Sequence, residues 1–151
     1  MEASKTKLGL DHPSTLGSMN NLALLYSSQG RYELAEPLYI ECLEARKTKL
    51  GLDHPDTLQS MNNLAGLYKS QGRYELAEPL YIECLEARKT KLGLDHPDTL
   101  QSMNNLALLY SSQGRYELAE PLLIGCLEAS KTKLGLDHPD TLTSMNSLAL
   151  L

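Results

Sequence analysis

The sequence repeats every forty-two residues, and this period constrains the fold more than any other feature of the chain. Three full copies occupy residues 5–46, 47–88 and 89–130, and a fourth runs from 131 to 151, halfway through the pattern. The first two copies differ only at Ser14/Asp56, Gly17/Gln59, Leu24/Gly66 and Ser27/Lys69, a similarity that implies recent duplication or deliberate engineering. Residues 2–8 repeat 128–134, so residues 1–4 read as the remnant of a preceding helix and both ends as cuts through a longer array. The 151 residues are expected to form a single repeat domain.

Each copy holds two helical patterns. In the second copy the first pattern opens at His54-Pro55-Asp56-Thr57, where proline suits a first helical turn and the acidic side chain faces the positive end of the dipole. Either Asp53 or His54 is the cap. Leu58, Met61, Leu64, Ala65 and Tyr68 follow at spacings of three and four, and Gln71-Gly72 ends the helix. The second pattern runs from about Tyr74 to Leu92, with Leu76, Ala77, Leu80, Cys84, Leu85 and Arg88 as its stripe, Lys89 and Lys91 in its last turn and Gly93 as its stop. Pro79 either lies near the first turn or removes one backbone hydrogen bond. Valine is absent and β-branched residues are few, so strands have little support. The expectation is an all-α chain of about seven helices. A helix pair cannot bury two apolar stripes alone, whereas stacked identical pairs can, which gives an α-solenoid of stacked antiparallel helix pairs.

Composition narrows the function. A net charge of −5 and a pI near 5.3, with no basic stripe, argue against nucleic acid or an anionic membrane as partner. Apolar runs such as 21–25 fall far short of the roughly 20 residues that span a bilayer. The N-terminus lacks a secretory segment, so a cytoplasmic location is expected. There is no glycine-rich phosphate loop, nucleophile motif or metal-ligand cluster, so neither an enzyme nor a cofactor is expected.

The residues Met19-x-x-Leu22-Ala23-x-x-Tyr26, Ala35-x-x-x-Tyr39 and Cys42 resemble the tetratricopeptide pattern W-x-x-L-G-x-x-Y…A-x-x-x-F, with Met for Trp and Ala for Gly. The usual period is about 34 residues, ending in Pro where this chain has Lys47. The longer period extends the second helix and its loop. Together with Asn-Asn-Leu-Ala, the run Leu-Gly-Leu-Asp-His-Pro-Asp-Thr-Leu resembles the long repeats of the kinesin light chain family over essentially the whole chain. That resemblance implies a right-handed superhelix whose first helices line a concave groove, with asparagines there clamping extended peptide segments of partner proteins.

On the first helices, residues 16, 19, 22, 23 and 26 form the packing stripe, and 17, 20, 24 and 27 form a second stripe one step round the wheel. Three of the four differences between the first two copies fall on that second stripe. The candidate peptide-binding residues are therefore Asn20 and Leu24; Gln59, Asn62 and Lys69; Gln101, Asn104 and Leu108; and Asn146, with Lys69 suited to a carboxylate. The neighbouring Asn21, Asn63 and Asn105 are expected to be structural, bonding between adjacent helices. Cys42, Cys84 and Cys126 read as buried thiols, His12, His54, His96 and His138 as loop or cap residues, and the tyrosines as packing groups.

The last helix lacks a covering partner in the sequence, so self-association through terminal helices is also expected. The main functional expectation is a protein-interaction scaffold holding an extended peptide. The alternative is an architectural or engineered array with no specific ligand.

Overall fold

The computed structural model describes residues 12–135 and 138–149, and among these residues it contains seven α-helices and no strand. They are α1 (Pro13–Ser28), α2 (Tyr32–Leu50), α3 (Pro55–Ser70), α4 (Tyr74–Leu92), α5 (Pro97–Ser112), α6 (Tyr116–Leu134) and α7 (Pro139–Ala149). The expected helical remnant at residues 1–4 lies outside the described residues. The chain divides into two compact units, Met1–Arg73 and Tyr74–Leu151. In the first, α2 packs against both α1 and α3; in the second, α4, α5, α6 and α7 pack each against the next.

Local chemistry sets the helix ends. His54 is the cap of α3: its backbone is extended and its Nδ1 accepts the Asp56 N–H at 3.0 Å. His12 and His96 cap α1 and α5 in the same way, through the N–H groups of Ser14 and Asp98. At the other end of α3, Gly72 adopts φ 75°, and the chain folds back through Gly72 N–H to Lys69 O and Arg73 N–H to Tyr68 O. This double closure satisfies carbonyls that the helix leaves open and needs a residue at ease in the left-handed region. Pro79 is the sixth residue of α4, past the first turn, so it withholds one helical hydrogen bond.

The core of the first unit joins Leu16, Met19 and Cys42, flanked by Leu38 and Ala45. In the second unit Ala107, Ala119 and Leu123 form a cluster that Leu148 of α7 closes over. The second helices bury a face slightly rotated from the expected one: Ala77, Tyr81, Cys84, Leu85 and Arg88 are inside, whereas Leu76 is 37% exposed. The 77, 81, 84, 85, 88 spacing places Tyr81 at the centre of that face and Leu76 at its edge.

Candidate protein-interaction surface

In the first unit, α1 and α3 carry the candidate strip. Leu24 is 45% exposed and Gln59 is exposed, while Asn20, Asn62 and Lys69 are half-buried. Desolvation lowers the Lys69 pKa, so its ammonium has given up part of its water shell. Gln59 and Asn63 stand four residues apart on one face of α3, and Gln59 Nε2 donates to Asn63 Oδ1 at 3.0 Å. Asn63 Nδ2 in turn donates to Asn20 Oδ1 of α1 at 2.9 Å. Asn63 thus links adjacent first helices, and it draws Asn20 and Gln59 into the same amide string.

In the second unit, Gln101 is exposed and its Oε1 accepts from Arg88 at 3.2 Å. Leu108 is half-buried, and Asn146 of α7 is exposed. Asn104 is half-buried, with a side-chain oxygen that is fully enclosed and has no hydrogen-bond partner. Leu150, at the corresponding strip position of the fourth copy, lies outside the described residues.

The junction between a second helix and the next first helix is polar at one point. Arg88 is only 4% exposed, and its guanidinium reaches Ser102 Oγ at 2.8 Å and Asp98 O at 3.1 Å as well as Gln101. Arg46 does the same in the first unit, reaching Ser60 Oγ at 2.8 Å and Asp56 O at 3.3 Å. Beside each guanidinium lies a buried thiol: Cys42 is 3.8 Å from Ser60 Oγ, and Cys84 is 3.7 Å from Ser102 Oγ. Burial raises the Cys84 pKa, which Arg88 and the Ser102 hydroxyl only partly offset.

A second link joins successive pairs at their helix–helix turns. The Arg73 guanidinium lies 4.8 Å from the centre of the Tyr68 ring and meets Glu36 at 2.6 Å. Arg115 lies over Tyr110 at 4.7 Å and meets Glu78 at 2.5 Å. These pairs are about a third exposed, so each contributes only ~0–1 kcal/mol and mainly sets register.

The third copy breaks the pattern. Serine stands at 130 where the earlier copies have Arg46 and Arg88, and a cavity of about 260 Å³ opens among Asp98, Gln101, Asn104, Cys126, Ser130 and Thr143. Sequence reasoning placed Arg88 on an apolar stripe without a role and passed over Ser130 and the buried Ser60 and Ser102. The available signal was the set of departures between copies two and three in the second helix: Tyr81/Leu123, Glu83/Gly125 and Arg88/Ser130.

Neither a metal-binding group of His, Cys, Asp or Glu nor a helix long and apolar enough to cross a membrane occurs among the described residues. What remains is a run of helix pairs, polar on the strip of the first helices and stitched through repeated side chains. This defines a helix-pair repeat scaffold of the solenoid class.

A family model for the tetratricopeptide repeat matches residues 1–48, 14–90, 56–123 and 98–151. The chain belongs to the tetratricopeptide repeat family. It is similar to two crystal structures of nearly identical TPR-like repeats from a kinesin light chain of Podosopora anserina, one of them carrying a single substitution. Both are 28% identical and cover 99% of this chain; they match over 70% and 71% of their own lengths, with TM-scores of 0.87 and 0.85. BtubC (BKLC) from P. vanneervenii is 25% identical, with a TM-score of 0.80 over 90% of this chain and 54% of its own. No curated protein matches the chain.

Proposed function

We propose that this chain is an interaction scaffold that holds an extended peptide segment of a partner protein against its first helices. Repeats of this family generally mediate protein–protein interaction. The observation that carries the finer reading is the placement of the differences between copies. Gly17/Gln59, Leu24/Gly66 and Ser27/Lys69 fall on accessible or half-buried strip positions, while the packing residues Leu16/Leu58, Met19/Met61 and Ala23/Ala65 are identical and buried. A surface that reads a ligand varies at such positions and keeps its core. Asn62 and the amide nitrogen of Asn104, whose oxygen is enclosed, suit an extended backbone, Leu24 and Leu108 offer apolar contact, and partly desolvated Lys69 suits a carboxylate. Gln59, Gln101 and Asn20 position their neighbours, and Asn146 extends the strip along α7. The proposed setting is cytoplasmic.

An unbiased peptide array tests this reading. Enrichment of a recognisable segment that Lys69→Glu and Asn104→Ala reduce, with unchanged circular dichroism, supports it. Binding no stronger than to scrambled peptides overturns it in favour of an architectural array.

A second reading, self-association through the last helix, draws on Leu142 and Met145, which are 51% and 41% exposed. Their counterparts Leu100 and Met103 are buried. Light scattering that gives a monomer mass at high concentration removes it.

A further inference from the structure

Two junctions between a second helix and the next first helix are closed by the same tie, and the third is not. Arg46 reaches Asp56 O and Ser60 Oγ in the first unit, and Arg88 reaches Asp98 O, Gln101 Oε1 and Ser102 Oγ in the second. Each arginine therefore holds a backbone oxygen in the first turn of the next helix together with a hydroxyl one turn further on. The fourth copy keeps Asp140 and Ser144 at the answering sequence positions, but Ser130 stands in place of the arginine. Ser130 is fully buried and its hydroxyl makes no bond to α7. Beside it lies the cavity of about 260 Å³, whose lining includes Thr143 of α7. A gap of this kind forfeits contacts that packed atoms would make, so the junction lacks dispersion attraction as well as its polar tie. Thr141 donates to Gly135 O at 2.8 Å, a bond six residues along the chain, and Leu148 packs against Ala107, Ala119 and Leu123. These contacts dock α7 without clamping it.

We infer that the α6–α7 junction is a seam built into the fold: α7 parts from α6 as a unit while α4, α5 and α6 stay folded together, and the residue at 130 sets how often it does so. Sub-global openings follow the interfaces with the fewest buried contacts, and here one letter of the repeat removes the clamp that the two earlier junctions share. Asn146 lies on α7, so each opening withdraws that position from the strip of first helices. A ligand that touches α5 and α7 together has differential affinity for the closed form and draws the seam shut. The seam itself needs no ligand: it is a property of the chain alone, and a peptide array without enrichment leaves it standing.

Amide hydrogen exchange of the whole chain, followed residue by residue in a series of low urea concentrations, provides the test. The amides from Thr143 to Leu148 should share one opening equilibrium with a shallow urea dependence, whereas the slowest amides of α5 and α6 should follow the steep dependence of global unfolding. Ser130→Arg restores the tie and should slow exchange in α7 about tenfold, the effect of one charge-assisted bond on an opening equilibrium. If that variant does not fold, the reverse exchange Arg88→Ser decides, and it should speed exchange in α5 about tenfold. Protection that rises residue by residue from Ala149 towards Thr143 is fraying from one end and overturns the seam. So does exchange of α7 only through global unfolding, an unaltered α7 rate in folded Ser130→Arg, or, where that variant fails, an unaltered α5 rate in Arg88→Ser.

Discussion

Asn63 of α3 donates its side-chain amide to the side-chain oxygen of Asn20 on α1 at 2.9 Å, while its own oxygen accepts from Gln59. A residue adjacent to the candidate binding strip therefore fixes the register of two first helices and orients two members of that strip. Removing it strands two partners at once. Asn63→Leu is expected to lower unfolding stability by about 1–3 kcal/mol, read as a drop in the urea midpoint. A double-mutant cycle with Asn20→Ala should give a coupling of at least ~0.5 kcal/mol; additive losses would show that the bond contributes nothing.

Arg88 holds two oxygens of α5 and the Ser102 hydroxyl from inside the second unit. Arg88→Ala removes a charged donor from the buried Ser102 hydroxyl and from two part-buried oxygens, and is expected to cost about 2 kcal/mol in chemical denaturation. Arg88→Lys should recover only part, since the lysine ammonium ends one atom short of the Nη1 that makes all three contacts. Full recovery by lysine would mean that charge alone matters there.

Burial holds the Cys84 thiol above its ordinary pKa, and all three cysteines are buried thiols outside any disulfide. Thiolate is the reactive form, so Ellman's reagent should label the native chain slowly and the urea-unfolded chain rapidly. Rapid labelling of native Cys84 in a variant with Cys42→Ala and Cys126→Ala would contradict its enclosure.

Burial, with a smaller contribution from Cys84, pushes the Tyr81 phenol up from 10.0 to about 12. The folded state thus keeps this proton more tightly than the unfolded state. The resulting stabilisation is complete below pH 10 and is lost as pH rises towards 12, by an amount of order 2 kcal/mol. Tyr81→Phe should flatten that alkaline decline in a denaturant series. Leucine occupies the corresponding position 123, so the site tolerates an apolar side chain.

His96 caps α5 through Nδ1, which requires an imidazole whose proton sits on Nε2. His96→Ala should cost about 1 kcal/mol, and His96→Asn should restore most of it, since an amide oxygen caps equally well. Equal melting temperatures for the two variants would count against a capping role.

The amino-acid sequence by itself determined the period, the all-α class and almost every helix boundary. Those features are local: Pro at the first turn, His before it, Gly after the last turn and apolar residues three and four apart act within one copy. The tertiary structure decided which polar residues meet across copies. Asn20 and Asn63 are forty-three positions apart, Arg73 and Glu36 thirty-seven, and no periodicity within a helix reveals such pairs. The strip on the first helices was legible as a face, but its division into positioning and accessible residues was not, because that depends on which neighbour occupies each hydrogen bond. The cavity at Ser130 was visible only as a single letter change. Its lining residues come from α5, α6 and α7, so it exists only once those three helices are packed together.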